Sequence, residues 1–319
     1  MSCSHLIFPA TEATVLQAAS VIKSGGLVAM PTETVYGLGA DAYNAGAIAR
    51  IFEAKNRPTF NPLISHIADW DFLPSYAETD ERVISLARRF WPGALTFVLR
   101  RKDFSSSLDL ACAGLPTVTV RMPNHPVALD LIRASGTPIV APSANRSQSI
   151  SPTTARHVWD SLGERVDMIL DGGPCSVGVE STIIDLTGKQ VVMLRPGGVS
   201  KEELESFLNE PVLVSQGNSE LPSSPGQMLK HYAPSHPLRI NVEKPERDEF
   251  FIGFGAVGEG ASLNLSPSGN LCEAAANLFS YLHLADEQTY FKKIAIAPIP
   301  DEGLGLAIND RVRRASYRS

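Results

Sequence analysis

The chain has 319 residues, 44% of them apolar and 19% charged, with a formal net charge of −6; that length allows two domains, each with its own core. The acidic balance excludes a general nucleic-acid coat, so an anion site has to be a local basic cluster. No apolar run is long enough to span a membrane, and the N-terminal "MSCSHLIFPA" lacks the charged start and long apolar stretch of a signal peptide.

In chain order, Thr11 to Lys23 carries apolar residues at helical spacing (Val15, Ala18, Ala19, Ile22) and stops at Gly25-Gly26. "LVAM" (27–30) then predicts a buried strand. "AIARIFEAK" (47–55) reads as a helix and "PLISHI" (62–67) as a strand. "ERVISLARRFW" (81–91) is an amphipathic helix ended by Pro92-Gly93. "ALTFVLR" (94–100) and "TVTVRM" (117–122) have the β-branched and aromatic content of strands. "PVALDLIRASG" (126–136) is helical, and "PIVAPSAN" (138–145) begins as a strand and breaks at Pro142. "VDMILDGG", "STIIDLT" and "QVVMLRPGG" predict three closing strands without intervening helices, so the sheet is mixed. After the helix "KEELESFLN" (201–209) comes a Pro/Ser stretch, roughly 211 to 237. A strand (249–256), a helix (271–285), a strand "KIAIAPI" and the helix "LAINDRVRRAS" then outline a smaller α/β unit.

Several ordinary chemistries find no support. Cys3, Cys112, Cys175 and Cys272 form no C-x-x-C pair and read as reduced thiols, and the seven histidines show no zinc-ligand spacing. "GFGAVG" (253–258) matches a dinucleotide-binding pattern, but a loop follows where that fold needs a helix, so a glycine turn is the better reading. There is no P-loop and no Ser-His-Asp or Cys-His arrangement.

What recurs is a polar loop at a strand edge. "PTETVYGLGAD" (31–41) offers hydroxyls where α/β sheets usually hold ligands. In "KNRPTFNPLISH" (55–66) Lys55 and Arg57 alternate. In an extended segment both point the same way, and two like charges on a proline-stiffened loop call for an anion; a solvated surface pair is the alternative. Arg121 in "PTVTVRMP" sits in an apolar strand, with Thr117 and Thr119 on its face, and wants a carboxylate or phosphate, or a structural salt bridge. "APSAN" offers Ser143 and Asn145, "GVESTIIDL" offers Glu180, Ser181 and Thr182, and "LRPGG" ends a strand with Arg195.

In this order the motifs resemble the YrdC-type threonylcarbamoyl-AMP synthases, and "SPGQMLKHYAP" (224–234) is similar to the linker of their long, two-domain form. Lys55, Arg57, Ser143 and Asn145 meet the family signature K-x-R…S-x-N. The resemblance implies a YrdC-like twisted mixed sheet with helices over 1–200, a linker or lid over 201–236 and a small Rossmann-like α/β domain over 237–319. It implies a cytoplasmic enzyme that joins L-threonine, bicarbonate and ATP, with Mg²⁺, into threonylcarbamoyl-AMP and pyrophosphate. Downstream threonylcarbamoyl transferase proteins then modify a tRNA adenosine beside the anticodon; a weak tRNA contact stays open. Lys55 and Arg57 take catalytic roles. Arg57, Asn61, Thr117, Ser143, Asn145, Ser151, Arg195 and Tyr232 line ATP. Thr34, His66, Arg121, Ala141 and Ser181 hold threonine, and Lys230, His231 and Tyr232 form a lid. No protein side chain is assigned to the metal. A non-catalytic RNA-binding module is the rival, although the chain lacks an interleaved basic–aromatic stripe. A carbamoyltransferase of the hydrogenase-maturation type would also need Cys-rich zinc motifs, which are missing.

Overall fold

The structure, a computed structural model, describes residues 5–102, 105–215 and 231–317. The chain opens with β1 (Ile7–Pro9), α1 (Glu12–Lys23), β2 (Val28–Met30), β3 (Gly37–Asp41), α2 (Ala45–Lys55) and β4 (Ile64–His66). It continues through α3 (Leu73–Tyr76), α4 (Glu81–Phe90), β5 (Leu95–Arg100), α5 (Ser106–Ala111), β6 (Thr117–Arg121), α6 (Pro126–Ser135), β7 (Ile139–Val140) and α7 (Ala155–Leu162). Then come β8 (Met168–Asp171), β9 (Thr182–Asp185), β10 (Val192–Arg195), α8 (Lys201–Leu208) and β11 (Leu213–Val214).

These strands form one 11-stranded mixed sheet, ordered β1-β8-β2-β3-β7-β4-β6-β5-β9-β10-β11. Both its faces are covered, and the pleat shows how. Val28 and Met30 of β2 pack with Val15, Ala18 and Ile22 of α1 and Leu131 of α6. Ala29, between them, joins the opposite layer with Ile48 and Ile51 of α2, as the period-two alternation of a strand requires. Helix α1 starts where Thr11 and Thr14 make a reciprocal capping box. The strands expected to close the sheet together are split. β8 inserts between β1 and β2, while β9 and β10 extend the far side beyond β5. Strand adjacency is set by pairing partners distant in sequence, which local pattern does not contain.

The second sheet comprises β12 (Leu238–Arg239), β13 (Glu249–Gly253), β14 (Leu263–Asn264) and β15 (Lys293–Ile296), with α9 (Leu271–Asp286) and α10 (Gly305–Ser316). All of its pairs are parallel, in the order β12-β15-β13-β14. "GFGAVG" closes β13 with a short 3-10 turn at Gly255–Gly258, not with the start of an α-helix. The core here, with Phe251, Leu278, Phe279, Ile294 and Ile308, also takes in Val35, Ile150 and Val179 from the loops of the larger sheet. The two sheets are therefore docked through apolar side chains at the loop ends. Among the described residues no helix is long and apolar enough to cross a membrane.

Candidate active site

The ends of β2, β4, β6, β7, β9 and β10 converge on one cleft, and the strand registers set its first contacts. β4 and β6 run parallel with His66 opposite Arg121, so both side chains arrive at the same level of the sheet. The turn after β2 folds on itself: Thr32 Oγ1 donates to the Val35 carbonyl at 2.6 Å and accepts from the Thr34 amide. That turn holds Glu33 and Thr34 against Arg121. The guanidinium makes a 2.6 Å ion pair with Glu33, donates to Thr34 Oγ1 at 2.9 Å and donates through Nε to the Gly93 carbonyl. Arg121 thus has its structural salt bridge. Three partners still leave capacity in a group with five N–H donors.

The 141–145 loop is bound from two sides. The Leu38 amide donates to the Pro142 carbonyl and the Ala144 amide to the Tyr36 carbonyl, both at 2.8 Å. Gly37 fits closely there: a Cβ on it would lie 3.1 Å from the Cβ of Ala141, which would have to shift by a few tenths of an ångström. From the other side, Lys55 Nζ donates to the carbonyls of Ser143 and Asn145, both at 2.5 Å. The extended Lys55–Arg57 alternation expected from sequence does not occur. Lys55 is the last residue of α2, and Asn56 takes a left-handed conformation, φ 50°, which swings Arg57 into the cleft wall. There Arg57 donates to the Pro62 carbonyl at 3.1 Å and to that of Asn61 at 3.4 Å. Asn56 ends the helix because asparagine tolerates that backbone region better than most residues.

On the far wall, Thr96 and Ser181 share a hydroxyl hydrogen bond of 2.7 Å, and Arg195 Nη2 donates to the Ser181 carbonyl at 2.8 Å. Glu180 accepts from Ser151 Oγ at 2.6 Å and pairs with Arg311 Nε at 2.9 Å.

The cleft is lined by Thr34, Arg57, His66, Arg121, Ala141, Ser143, Ser181, Arg195 and His231 among the expected residues. Lys55, Asn61, Asn145 and Ser151 are buried behind that lining, Thr117 stands at the start of β6, and Tyr232 packs on Phe279 of α9. Lys230 lies outside the described residues. Glu33 and Arg311 are not among the residues singled out from sequence, and Glu180 enters there only as one residue of a polar strand-edge loop. Arg311 did leave a signal: it sits on the same face of α10 as Ala307, Ile308 and Ala315, where an apolar residue belongs.

Burial shapes the electrostatics. It lowers His66, helped by Arg121, to about 3, and lowers His231 to about 3, so both imidazoles are neutral at physiological pH. Burial and then the neighbouring Arg195 bring Arg57 down to about 10. Burial and then Arg57 hold Lys55 well below its ordinary 10.5. Burial alone would raise Glu180, yet Arg311 and then Arg195 overcome it and hold the carboxylate at about 2. Buried Arg57, Arg121, Arg195 and Arg311 therefore face buried Glu33 and Glu180 and the partly buried Asp310, which leaves positive charge in excess out of water. Tyr232 Oη and His231 Nδ1 are buried with no hydrogen-bond partner among the described residues. Such a cleft favours a polar anion. Among the described residues no three His, Cys, Asp or Glu side chains gather as a metal cage. A cation here would rest mainly on the oxygens of an anionic ligand.

Residues 20–197 match the Sua5/YciO/YrdC family model described as "Telomere recombination", and residues 199–316 match "Threonylcarbamoyl-AMP synthase, C-terminal domain". The chain is 44% identical to a threonylcarbamoyl-AMP synthase of Bacillus subtilis, over 95% of this chain and 92% of the relative. It is 43% identical to one of Pyrococcus abyssi, over 94% of each. The crystal structure of Pyrococcus abyssi Sua5 complexed with L-threonine superposes with a TM-score of 0.88 at 39% identity, covering 98% of this chain and 96% of that one.

Proposed function

The chain belongs to the threonylcarbamoyl-AMP synthases, enzymes of tRNA modification, and on that premise we propose how its own residues divide the reaction. The substrates are L-threonine, bicarbonate and ATP. The amine nitrogen of threonine forms a bond to the bicarbonate carbon, with loss of water, to give a carbamate. A carbamate oxygen then forms a bond to the α-phosphorus as the bond to the β-phosphate oxygen breaks, and pyrophosphate leaves.

The observation that carries this reading is the surplus of buried guanidinium charge, with Arg57 and Arg195 on opposite walls of one cleft. A triphosphate is the substrate that such a surplus fits. Phosphoryl transfer needs charge neutralisation and positioning more than covalent help. Mg²⁺ would enter on the phosphate oxygens of ATP and add further neutralisation. Arg121 offers its remaining N–H donors to the threonine carboxylate, beside the Thr34 and Ser181 hydroxyls. His66 is neutral, with its Nδ1 3.2 Å from the Ile64 carbonyl, so the ring positions threonine without acting as an acid. Lys55 acts on the site by gripping the loop that holds Ser143. The free thiols of Cys112, Cys175 and Cys272 suit the cytoplasm.

The test is pyrophosphate release from ATP by the full chain, with threonine and bicarbonate each omitted in turn. Release that needs both supports the reading. RNA affinity that falls steeply with salt, without such release, would instead favour a binding module.

A further inference from the structure

Arg311 belongs to the second sheet's last helix and has no exposed surface. Its partners lie on the loops of the larger sheet. Nε pairs with Glu180 at 2.9 Å, and Nη1 donates to the Pro196 carbonyl at 2.6 Å while meeting Asp310 at 3.0 Å. Its guanidinium carbon lies 5.5 Å from the centroid of the Tyr232 ring. Glu180 passes the contact on to Ser151 Oγ, and Pro196 directly follows Arg195 at the end of β10. One side chain of the smaller domain thereby touches or reaches, through one further group, three residues expected around the nucleotide: Ser151, Arg195 and Tyr232.

Stability does not explain the arrangement. A buried ion pair roughly breaks even against well-packed apolar side chains of the same volume, and an apolar residue would complete the core face of α10. What the pair adds is geometry, since Glu180 and the Pro196 carbonyl are fixed relative to one another by a planar fork.

We propose that Arg311 is a positioning residue for ATP, fixing the Ser151 hydroxyl through Glu180 and the Arg195 strand end through Pro196, so that the smaller domain must be docked for the nucleotide side of the cleft to be complete. The threonine side has anchors that do not run through Arg311: Ser181 keeps Thr96, and Thr34 keeps Arg121. The inference rests on the synthase reading of the cleft.

The experiment compares the full-length chain with Arg311→Lys and with the double variant Glu180→Gln/Arg311→Met. The first keeps a buried cation, and the second removes both charges of the Glu180–Arg311 pair while Asp310 keeps Arg314, so the two variants perturb the fold by different routes. ATP affinity is measured by calorimetry, and KM for ATP and for threonine by pyrophosphate release. We expect both variants to bind ATP about tenfold more weakly or worse, the scale of one lost charge-assisted hydrogen bond. KM for threonine and the melting temperature should stay near those of the parent. ATP binding unchanged in either folded variant overturns the proposal. So does a parallel rise of both KM values with a fall in melting temperature, which marks a merely structural role. If the parent chain releases no pyrophosphate in response to threonine and bicarbonate, the synthase reading fails, and the calorimetric comparison still decides whether Arg311 sets ATP affinity.

Discussion

The imidazoles of His157 and His283 lie stacked across the two domains, with ring centroids 3.9 Å apart and planes 19° from parallel. His157 comes from α7, just past the nucleotide-side loop, and His283 from α9; His283 Nε2 also lies 3.1 Å from the Ser151 carbonyl. Burial, and then His283 itself, brings His157 from 6.5 down to about 3, and burial lowers His283 as well. Two protonated rings could not remain in this contact.

The consequence is a pH dependence of stability with a definite sign. His66, His157 and His231 are all depressed to about 3. Between 6.5 and 3 the unfolded chain takes up protons that the fold refuses. Stability is therefore complete above pH 6.5 and falls as pH drops, by up to about 1.4 kcal/mol per pH unit for each such imidazole. Glu180, depressed to about 2 by Arg311, Arg195 and the Ser151 hydroxyl, loses its contribution in the same direction, but only below 4.5. Thermal unfolding from pH 8 to 4.5 should show the midpoint declining before the carboxylate range. His157→Phe should narrow or reverse its deficit against the parent as pH falls. A flat midpoint down to pH 5 would count against neutral buried imidazoles.

Gly178 marks a close approach between the domains, where the 178 backbone lies against α9. It has φ +74°, and a Cβ there would lie 2.5 Å from the Ala275 carbonyl oxygen and from the Ala276 Cα. Gly173 has φ +84° with nothing within 4 Å of its notional Cβ. Gly173→Ala should thus cost about 1–2 kcal/mol, for the backbone conformation alone. Gly178→Ala should cost more and should also depress pyrophosphate release, because α9 has to move. Equal losses of stability with equal activity would remove the close contact from the account.

The contrast between these glycines is invisible in sequence, and that holds for much of the site. The strand-end loops were legible because proline, glycine and hydroxyl residues punctuate β-branched runs, and Arg57, His66, Arg121 and Arg195 indeed meet in one cleft. Which loop meets which was not legible, since β7 pairs with β3 and β4 through contacts distant along the chain. The Ser143 and Asn145 carbonyls that Lys55 meets are backbone groups with no residue-type signature, so the sequence alone points that charge toward an anion. Glu33 carries no pattern that points to Arg121, its partner across the sheet. Arg311 could have been found, as a charge on the apolar stripe of an otherwise ordinary helix.

Lys55 tests this distinction directly. Its ammonium is 1% exposed as a residue and spends its hydrogen bonds on two carbonyls of the 141–145 loop. Lys55→Met keeps the stem and removes the donors, leaving the buried Asn145 carbonyl without its donor, while the Ser143 carbonyl keeps the Asn145 amide. An unsatisfied buried carbonyl should cost about 1–3 kcal/mol. Unfolding in denaturant should therefore report a marked loss of stability, with reduced activity following from a loosened loop. A variant as stable as the parent but inactive would return Lys55 to a direct role on the anion.

Arg57 should behave in the opposite way. Its donors reach the carbonyls of Asn61 and Pro62, but it also lines the cleft, and burial together with the nearby Arg195 already disfavours its charge. Keeping a guanidinium there costs the fold energy, and an arriving phosphate recovers it. Arg57→Ala removes one of two mutually repelling buried cations, so its effect on stability should be small. Its effect on turnover should be large: one lost charge-assisted contact is worth roughly 1.5–3 kcal/mol, or about 10- to 150-fold, and more where water is excluded. Pyrophosphate release and circular dichroism on the same sample separate the two effects. Near-parent turnover in a folded Arg57→Ala protein would show that the phosphates lie elsewhere, and that the surplus charge between Arg57 and Arg195 serves another ligand.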